Sequence, residues 1–342
     1  MRLRSARASD HEPLLRLARE LNSINLATEP ERLRRQIETS EASFAGSRGD
    51  RGDYLIVLEA PDGSGRPIGC AMILGKHGTP EEPHYYLSVR SEHRYSDQLL
   101  RGFRSKGLYL GWNEDGPSEL GGLILAPEAR GHGAGKPLSL VRLLYMAVRP
   151  ERFQKQVIAE MLGRYDEAGH SPFWDYYGRK VTGLDIHAAD MLCTQNKEFI
   201  RELFVEGPLY TALMPEEVQD VIGHVGKQTE PALAMLLAQG MRDLHQIDPF
   251  DGGPFIGAHV ADLAMVRAHG VGRLAEGEVP TPERPTRLML IEGKDGIVAS
   301  AGAVAVDGDE VRIDAAAREA LGVPAGTRVH HAPLNPKAEA KS

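Results

Sequence analysis

The sequence predicts an α+β protein in which a mixed sheet is flanked by helices and a small β-rich element lies near the C-terminal end. Three observations lead to this prediction. Amphipathic helical patterns precede residue 40, short apolar strands follow, and a glycine-rich loop then separates one strand from an amphipathic helix. With 342 residues, of which 42% are hydrophobic, the chain is long enough to bury one large core or two modest ones.

The first two helices are predicted from the residues at their starts. Ser9 stands three residues before Glu12, Thr28 stands three residues before Glu31, and an apolar helical stripe follows each pair. This spacing is typical of a capping box. Pro30 fits the first turn of the second helix, where no backbone N–H donor is needed.

The next elements are strands. Residues 54–59 (YLIVLE) and 67–74 (PIGCAMIL) are rich in apolar and β-branched side chains, and the PDGSGR segment between them has turn-forming residues. We therefore expect a hairpin. Residues 85–90 are predicted as a third strand, and residues 91–117, rich in Gly, Ser and Asp, as an irregular segment.

A pattern that occurs twice suggests an internal duplication. After a strand at 120–125, a helix at 136–149 and a strand at 157–161, residues 172–181 (PFWDYYGRKV) are predicted as helix, glycine and return strand. Residues 231–242 (PALAMLLAQGMR) repeat that pattern. The chain is therefore predicted to be a diverged tandem of two similar halves.

The predicted domains are residues 1–190, 191–284 and 285–335, followed by a solvated tail over residues 336–342. The third domain contains strands at 287–292, 297–305 and 327–331 and a helix at 315–321. At roughly fifty residues it is small for an independent domain, so we expect it to depend on the main body.

The composition disfavours several classes of protein. The formal net charge of −8 argues against nucleic acid or an anionic membrane as the main partner. There is no apolar run long enough to cross a membrane and no signal-peptide pattern at the N-terminus. With two cysteines and no clustered His or Cys ligands, we expect a cytoplasmic protein with no disulfide framework and no metal.

The glycine-rich loop RGHGAG, residues 130–135, precedes a helix. Glycines let the backbone approach an anion, and a helix N-terminus offers unpaired N–H groups and a partial positive charge, so the loop predicts a pyrophosphate site. A P-loop matches poorly because Pro137 follows Lys136 where Ser or Thr is needed. A dinucleotide fingerprint also matches poorly, because the glycine spacing is GxGxG.

The R-x-x-G-x-G pattern in this position resembles the coenzyme A loop of the GNAT acyltransferases, and the order of helices, hairpin, strands and loop is also similar. Longer segments resemble the arginine N-succinyltransferase family over nearly the full length, among them SELGGLILAPEARGHGAGKPLSLVR, PEEVQDVIGHVGKQTEPALAMLLAQGMR and FDGGP. The resemblance implies a GNAT-like fold and transfer of succinyl from succinyl-CoA, as a cosubstrate and not a tightly bound cofactor, to the α-amino group of arginine or ornithine. It also implies a homo-oligomer or a hetero-oligomer with a paralogous subunit.

The resemblance also implies a contact between the acyl-CoA and Leu123. We expect further coenzyme A contacts from the same strand and from the loop, at Leu125, Arg130, Gly131, His132, Gly133, Ala134 and Gly135. In a direct attack of the amine on the thioester, a backbone N–H near Leu123 would stabilise the developing oxyanion.

The resemblance is incomplete at the residue proposed to transfer a proton in the family. The family's proposed proton donor is a histidine in a stretch that reads VIGQVHPQT, whereas this chain reads VIGHVGKQT and has Gly226 at the matching position. Glycine cannot transfer a proton, so we predict that His224, two residues earlier, is the catalytic residue. A surface or packing role fits His224 equally well, and His170 is a second candidate.

For the acceptor substrate, Asp251 in the FDGGP segment is predicted to bind the guanidinium group of arginine. A simple Asp-Gly turn is the alternative interpretation of that segment. Two other functions stay open: a non-catalytic or weakly active partner subunit, favoured by the missing histidine, and an acyltransferase for another amine or acyl-CoA, because pocket shape decides such selectivity.

Overall fold

A computed structural model of the chain describes residues 1–20, 26–193, 195–294 and 296–335. The predicted tail, residues 336–342, lies outside this part. The strands are β1 (Leu3–Ser5), β2 (Asp53–Glu59), β3 (Pro67–Leu74), β4 (His84–Ser96), β5 (Arg101–Asn113), β6 (Ser118–Leu125), β7 (Gln156–Glu160), β8 (Leu209–Tyr210), β9 (Arg242–Ile247), β10 (Pro254–His259), β11 (Gly270–Val279), β12 (Arg287–Gly293), β13 (Gly296–Gly302), β14 (Val304–Asp307), β15 (Glu310–Asp314) and β16 (Arg328–Pro333). The α-helices are α1 (His11–Glu20), α2 (Pro30–Phe44), α3 (Gly135–Val148), α4 (Pro172–Tyr176), α5 (Gly178–Thr182), α6 (Ile186–Cys193), α7 (Glu198–Leu203), α8 (Glu216–Gln219), α9 (Glu230–Ala238), α10 (Ala264–Arg267) and α11 (Ala315–Leu321).

The chain forms two compact units. The first contains Met1–Lys76, Ser118–Val157 and the chain from His259 onward, and the second contains His77–Pro117 and Ile158–Ala258. Both are built from separated segments, whereas the domains predicted above are contiguous. The difference arises because strands distant in sequence pair with each other: Leu3 of β1 lies opposite Ala299 of β13. The contiguous division at residues 190 and 284 stays a prediction.

The first unit is a sheet covered by helices, which confirms the α+β class. Its strand order is β14-β15-β11-β16-β12-β13-β1-β2-β3-β6. The predicted hairpin is confirmed, with Tyr54 opposite Ile73. Helices α1, α2 and α3 pack on β2 and β3. The predicted C-terminal β element is integrated into this sheet through β1, and its strand at 297–305 is divided into β13 and β14.

The helix starts differ from the predicted capping boxes. Ser9 lies inside a short 3-10 turn over Ala8–Asp10, and α1 begins only at His11. Helix α2 is capped by Glu29, whose carboxylate accepts the backbone N–H groups of Glu31 and Arg32. The prediction for Thr28 is therefore wrong: Pro30 occupies the first turn, so the residue directly before it takes the capping position.

The second unit has the strand order β7-β10-β9-β4-β5-β8. The prediction that residues 91–117 are irregular is wrong, because β4 and β5 form a long hairpin paired from His84 and Asn113 to Ser96 and Arg101. The distal part of this hairpin is exposed on both faces. Its strands therefore lack the apolar alternation by which strands are recognised in a sequence.

Short helices cover the core of the second unit, which includes Leu87, Leu108, Phe173 and Trp174. The return strand predicted after Gly178 is wrong, since α5 occupies that segment. A Cβ at Gly178 would lie 2.2 Å from the Trp174 ring, so glycine is needed there for close packing. The tandem duplication stays a prediction. Within the described part of the chain, none of the helices is long and apolar enough to cross a membrane.

Candidate functional site

The glycine loop of the first unit joins β6 to α3, as predicted. Gly131 and Gly133 each have a φ of 78°, in the left-handed region that residues with a side chain rarely adopt. An added Cβ at either position would meet no atom within 4 Å. Glycine is therefore favoured at these two positions by the backbone conformation and not by a lack of space for a side chain. Gly131, His132 and Gly133 are exposed, so the loop presents its backbone to solvent at the start of a 14-residue helix.

Two cationic side chains lie at the two ends of this loop. Arg130 Nε donates a hydrogen bond of 3.1 Å to the Leu125 carbonyl oxygen, which holds the arginine against the end of β6. Lys136, in the first turn of α3, donates to the side-chain oxygen of Asn335. Together with the helix start, these charges make the loop suitable for binding an anion.

Strand β6 contains a β-bulge directly before the loop. Cys70 pairs with Ile124 and Met72 pairs with Gly121, so one residue of β3 faces both Gly122 and Leu123. Gly122 has a φ of 55°. A bulge interrupts the ladder of backbone hydrogen bonds and redirects the backbone groups within it. Leu123, the predicted acyl-CoA contact, lies at this interruption.

Buried Arg142, on α3, holds the two strands at the bulge. Its guanidinium group donates to the carbonyl oxygens of Gly121 at 3.0 Å and Met72 at 3.5 Å, and also to the Ser139 carbonyl and hydroxyl oxygens, each at 2.9 Å. Burial lowers the pKa of Arg142 to about 10. Nothing in the helical pattern distinguishes Arg142 from a surface arginine, so its role was not predicted.

The second unit contains a cavity of about 460 Å³, within the usual range for a small-molecule site. His224, the predicted catalytic residue, is part of its wall. The lining residues are Val89, Ser91, Lys106, Ile222, Gly223, His224, Asp243, His245, Gln246, Ile247 and Pro254.

The backbone around Gly226, next to His224, is closely packed. The Gly226 N–H donates to the Leu162 carbonyl oxygen at 3.2 Å, and a Cβ at Gly226 would lie 3.0 Å from the Gly163 carbonyl oxygen. A side chain at position 226 would therefore press against the backbone. His224 is exposed and has no such constraint.

A second histidine, His245, lines the same cavity and was not predicted. It has a φ of 54°, which is uncommon for a residue with a side chain. Asp243 accepts the His245 backbone N–H at 2.8 Å, and another oxygen of the same carboxylate lies 3.3 Å from the ring atom Nδ1. A carboxylate that orients an imidazole is a common device for moving protons.

A partly buried group of ionisable side chains lies elsewhere in the second unit. Glu160 Oε1 is 2.8 Å from His84 Nε2 and 3.9 Å from His77 Nε2. Burial on its own would raise the pKa of Glu160, but the imidazoles of His84 and His77 lower it to about 2. No clustered ligand set was predicted from the sequence, because these side chains come from separate segments of the chain.

Asp251 lies close to this group and makes contacts that suit a structural turn. Its carboxylate is 5% exposed and accepts the backbone N–H groups of Gly163 at 2.8 Å and Gly253 at 2.7 Å. The contact with a substrate guanidinium group stays a prediction. The other histidine candidate, His170, is exposed and pairs with Asp166 at 3.6 Å. Burial raises the pKa of the Cys193 thiol to about 12, which does not suit a nucleophile.

The protonation of Asp251 should make stability depend on pH. Burial raises the pKa of Asp251 to about 6, and Glu160 adds to the rise, against the effect of the two backbone hydrogen bonds. The folded protein thus favours the protonated carboxyl. The resulting stabilisation is complete below the unfolded pKa of 3.8 and is lost as the pH rises through 6. We expect a loss of about 3 kcal/mol of unfolding free energy across this window.

Urea denaturation between pH 4 and pH 7 measures this effect. The Asp251→Asn variant should be less stable than the parent. Its unfolding free energy should fall less steeply between pH 4 and pH 7. Asp220→Asn, a change at an exposed aspartate, is the matched control and should keep the parent slope. An unchanged slope in Asp251→Asn would contradict the assignment.

A family profile described as "Arginine N-succinyltransferase beta subunit" matches residues 1–265. Arginine N-succinyltransferase subunit beta of Pseudomonas aeruginosa is 35% identical over 340 residues, which covers 98% of each chain. Arginine N-succinyltransferase of Shigella dysenteriae is 36% identical over 299 residues, covering 85% of this chain and 86% of the relative. The solved structure of arginine/ornithine succinyltransferase subunit AI from Pseudomonas aeruginosa has a TM-score of 0.83 at 28% identity and covers 97% of this chain and 98% of that chain.

Proposed function

Because the chain belongs to the arginine N-succinyltransferase family and is accordingly an N-acyltransferase, we propose that it transfers a succinyl group from succinyl-CoA to the α-amino group of L-arginine. One observation carries the coenzyme A part of this proposal: the left-handed glycines 131 and 133 stand between the β6 bulge and the start of α3. Such a loop suits the pyrophosphate of coenzyme A.

The reaction needs no covalent enzyme intermediate. The neutral α-amine attacks the thioester carbonyl, a carbon–nitrogen bond forms, the carbon–sulfur bond breaks, and coenzyme A leaves as a thiolate that takes up a proton. The backbone N–H of the bulge near Leu123 is the proposed donor to the developing oxyanion. The amine must lose a proton in the same sequence of steps, so the enzyme needs a group that accepts it.

The cavity of the second unit has the polar groups that an arginine molecule needs. Lys106 offers a positive charge for the α-carboxylate, and Asp243 offers a negative charge for the guanidinium group. We assign the proton-accepting role to His224. His245, oriented by Asp243, is the second imidazole that faces the bound molecule.

Release of free coenzyme A tests the proposed reaction. Purified protein is mixed with succinyl-CoA and L-arginine, and the thiol is measured with a chromogenic disulfide. We expect release that depends on arginine and is weaker with acetyl-CoA. Ornithine and other amines, tested in the same assay, identify the acceptor. If no thiol appears above background at any pH between 7 and 9.5, the proposed activity is wrong.

Loss of the His224 imidazole should slow turnover. We expect His224→Ala to lower kcat at least about tenfold, because general acid–base groups contribute roughly 10²–10⁴-fold to such reactions. His187→Ala, at an exposed histidine of α6 outside the cavity lining, is the matched control and should leave kcat unchanged. If His224→Ala keeps the parent kcat and pH profile while His245→Ala loses activity, the proton role belongs to His245 instead.

A partner-subunit function is the second candidate, and Gly226 is the observation that favours it. The histidine that is the family's proposed proton donor is absent at this position, so a chain that cannot transfer the proton itself would need an active paralogue. The Pseudomonas aeruginosa relatives are named as subunits. Light scattering of the purified chain gives its oligomeric state, and activity that appears only after mixing with a paralogous chain would support this alternative.

A further inference from the structure

Three side chains of metal-ligand type converge in the second unit. His77 lies just before β4, His84 begins β4, and Glu160 ends β7. One ligand atom of each lies within 4.8 Å of the other two. The Nε2 atoms of both histidines lie toward the same glutamate oxygen, at 2.8 Å and 3.9 Å.

The His84 ring is buried, and only one of its two nitrogens has a polar partner in the described part of the chain. It is 3% exposed; Nε2 lies 2.8 Å from Glu160 Oε1, and Nδ1 has no hydrogen-bond partner among the described residues. Buried polar groups without such bonds are rare, and an unfilled ion site is one recognised reason for them. The ring is fixed by packing, since it stacks on Phe255 at 5.3 Å and meets the His77 ring edge to face at 4.2 Å.

The distances are compatible with a tetrahedral ion. A zinc ion binds histidine nitrogen and carboxylate oxygen at about 2.0–2.2 Å, so two ligand atoms of a tetrahedron are roughly 3.3–3.5 Å apart. The two observed separations, 2.8 Å and 3.9 Å, lie on either side of that value. Small side-chain rotations would therefore bring both nitrogens and the oxygen into one coordination sphere.

The charges around the cluster also favour a cation. Glu160 supplies one negative charge close to the two imidazoles. Two neutral imidazoles and one carboxylate are a typical zinc set that leaves a fourth position open.

We propose that His77, His84 and Glu160 bind one divalent transition-metal ion, and the ligand set favours zinc. The ion joins the start of β4 to the end of β7 and leaves one coordination position for water or another small ligand. This site is separate from the cavity lined by His224, and it does not rest on the proposed acyl transfer.

Metal titration of the untagged full chain tests the site. After treatment with a chelator and dialysis, calorimetry with ZnCl₂ should give one equivalent bound with a dissociation constant in the micromolar range or below. CoCl₂ should produce visible absorption bands typical of four-coordinate cobalt. Zinc at about 100 times its dissociation constant should also raise the melting temperature, since it binds the folded state.

Variants distinguish the cluster from adventitious sites. His77→Gln changes a half-buried residue and should weaken zinc binding at least tenfold while the chain stays folded by circular dichroism. Glu160→Gln should have a similar effect. His187→Gln, at an exposed histidine of α6, is the control and should bind like the parent. No stoichiometric binding by the parent, or equal binding by parent and His77→Gln, would overturn the proposal and leave an ordinary Glu–His pair.

Discussion

Replacing Gly131 and Gly133 together with valine is expected to raise the KM for succinyl-CoA roughly 30-fold or more. Both glycines have a φ of 78°. The left-handed conformation is less favourable by about 1–2 kcal/mol for a residue with a side chain. Two replacements should therefore weaken the binding free energy of succinyl-CoA by about 2–4 kcal/mol. Because an added Cβ meets nothing within 4 Å, the loop can rearrange without disturbing the core.

A matched control separates the loop from general backbone strain. Gly63, in the turn of the β2–β3 hairpin, has a φ of 77° and equally open surroundings. Gly63→Val should lower the melting temperature slightly and leave the KM for succinyl-CoA unchanged. Calorimetry with free coenzyme A gives the binding part directly. A double valine variant that is folded and binds coenzyme A like the parent would remove the loop from the site.

Arg142→Met is expected to lower the unfolding free energy by about 3–5 kcal/mol and to lower kcat as well. The variant leaves the carbonyl oxygens of Gly121 and Met72 buried without their donor, and each orphaned acceptor is destabilising by about 1–3 kcal/mol. The bulge in β6 would then lose the contact that fixes its shape. We expect kcat to fall because a small displacement of the backbone N–H donor in the bulge would weaken its stabilisation of the transition state.

Urea denaturation and initial rates measure the two effects of Arg142 separately. Arg142→Lys keeps a positive charge but loses the planar fork of donors, so we expect an intermediate loss of stability. Arg179→Met, at an exposed arginine of α5, is the control for the loss of a helical arginine. If Arg142→Met is as stable and as active as the parent, Arg142 does not hold the bulge.

Local patterns in the sequence predicted the elements that bury one apolar face. The β2–β3 hairpin, β6, α3 and α11 are present within a few residues of their predicted bounds, and α11 ends before Gly322, which has a φ of 65°. The β4–β5 hairpin was missed because much of it is exposed on both faces. Thr28 was misassigned because two adjacent residues can each cap a helix, and the choice depends on how the chain approaches it.

By itself, the sequence determined the glycine loop, its place between a strand and a helix, and the family resemblance, because these depend on neighbouring residues and on the length of the match. Only the tertiary structure decided which distant residues meet. The donors of Arg142 at the β6 bulge, the orientation of His245 by Asp243, and the convergence of His77, His84 and Glu160 are examples. Such contacts depend on strand pairing and burial between segments far apart in the chain. The spacing of neighbouring residues in the sequence therefore does not predict them.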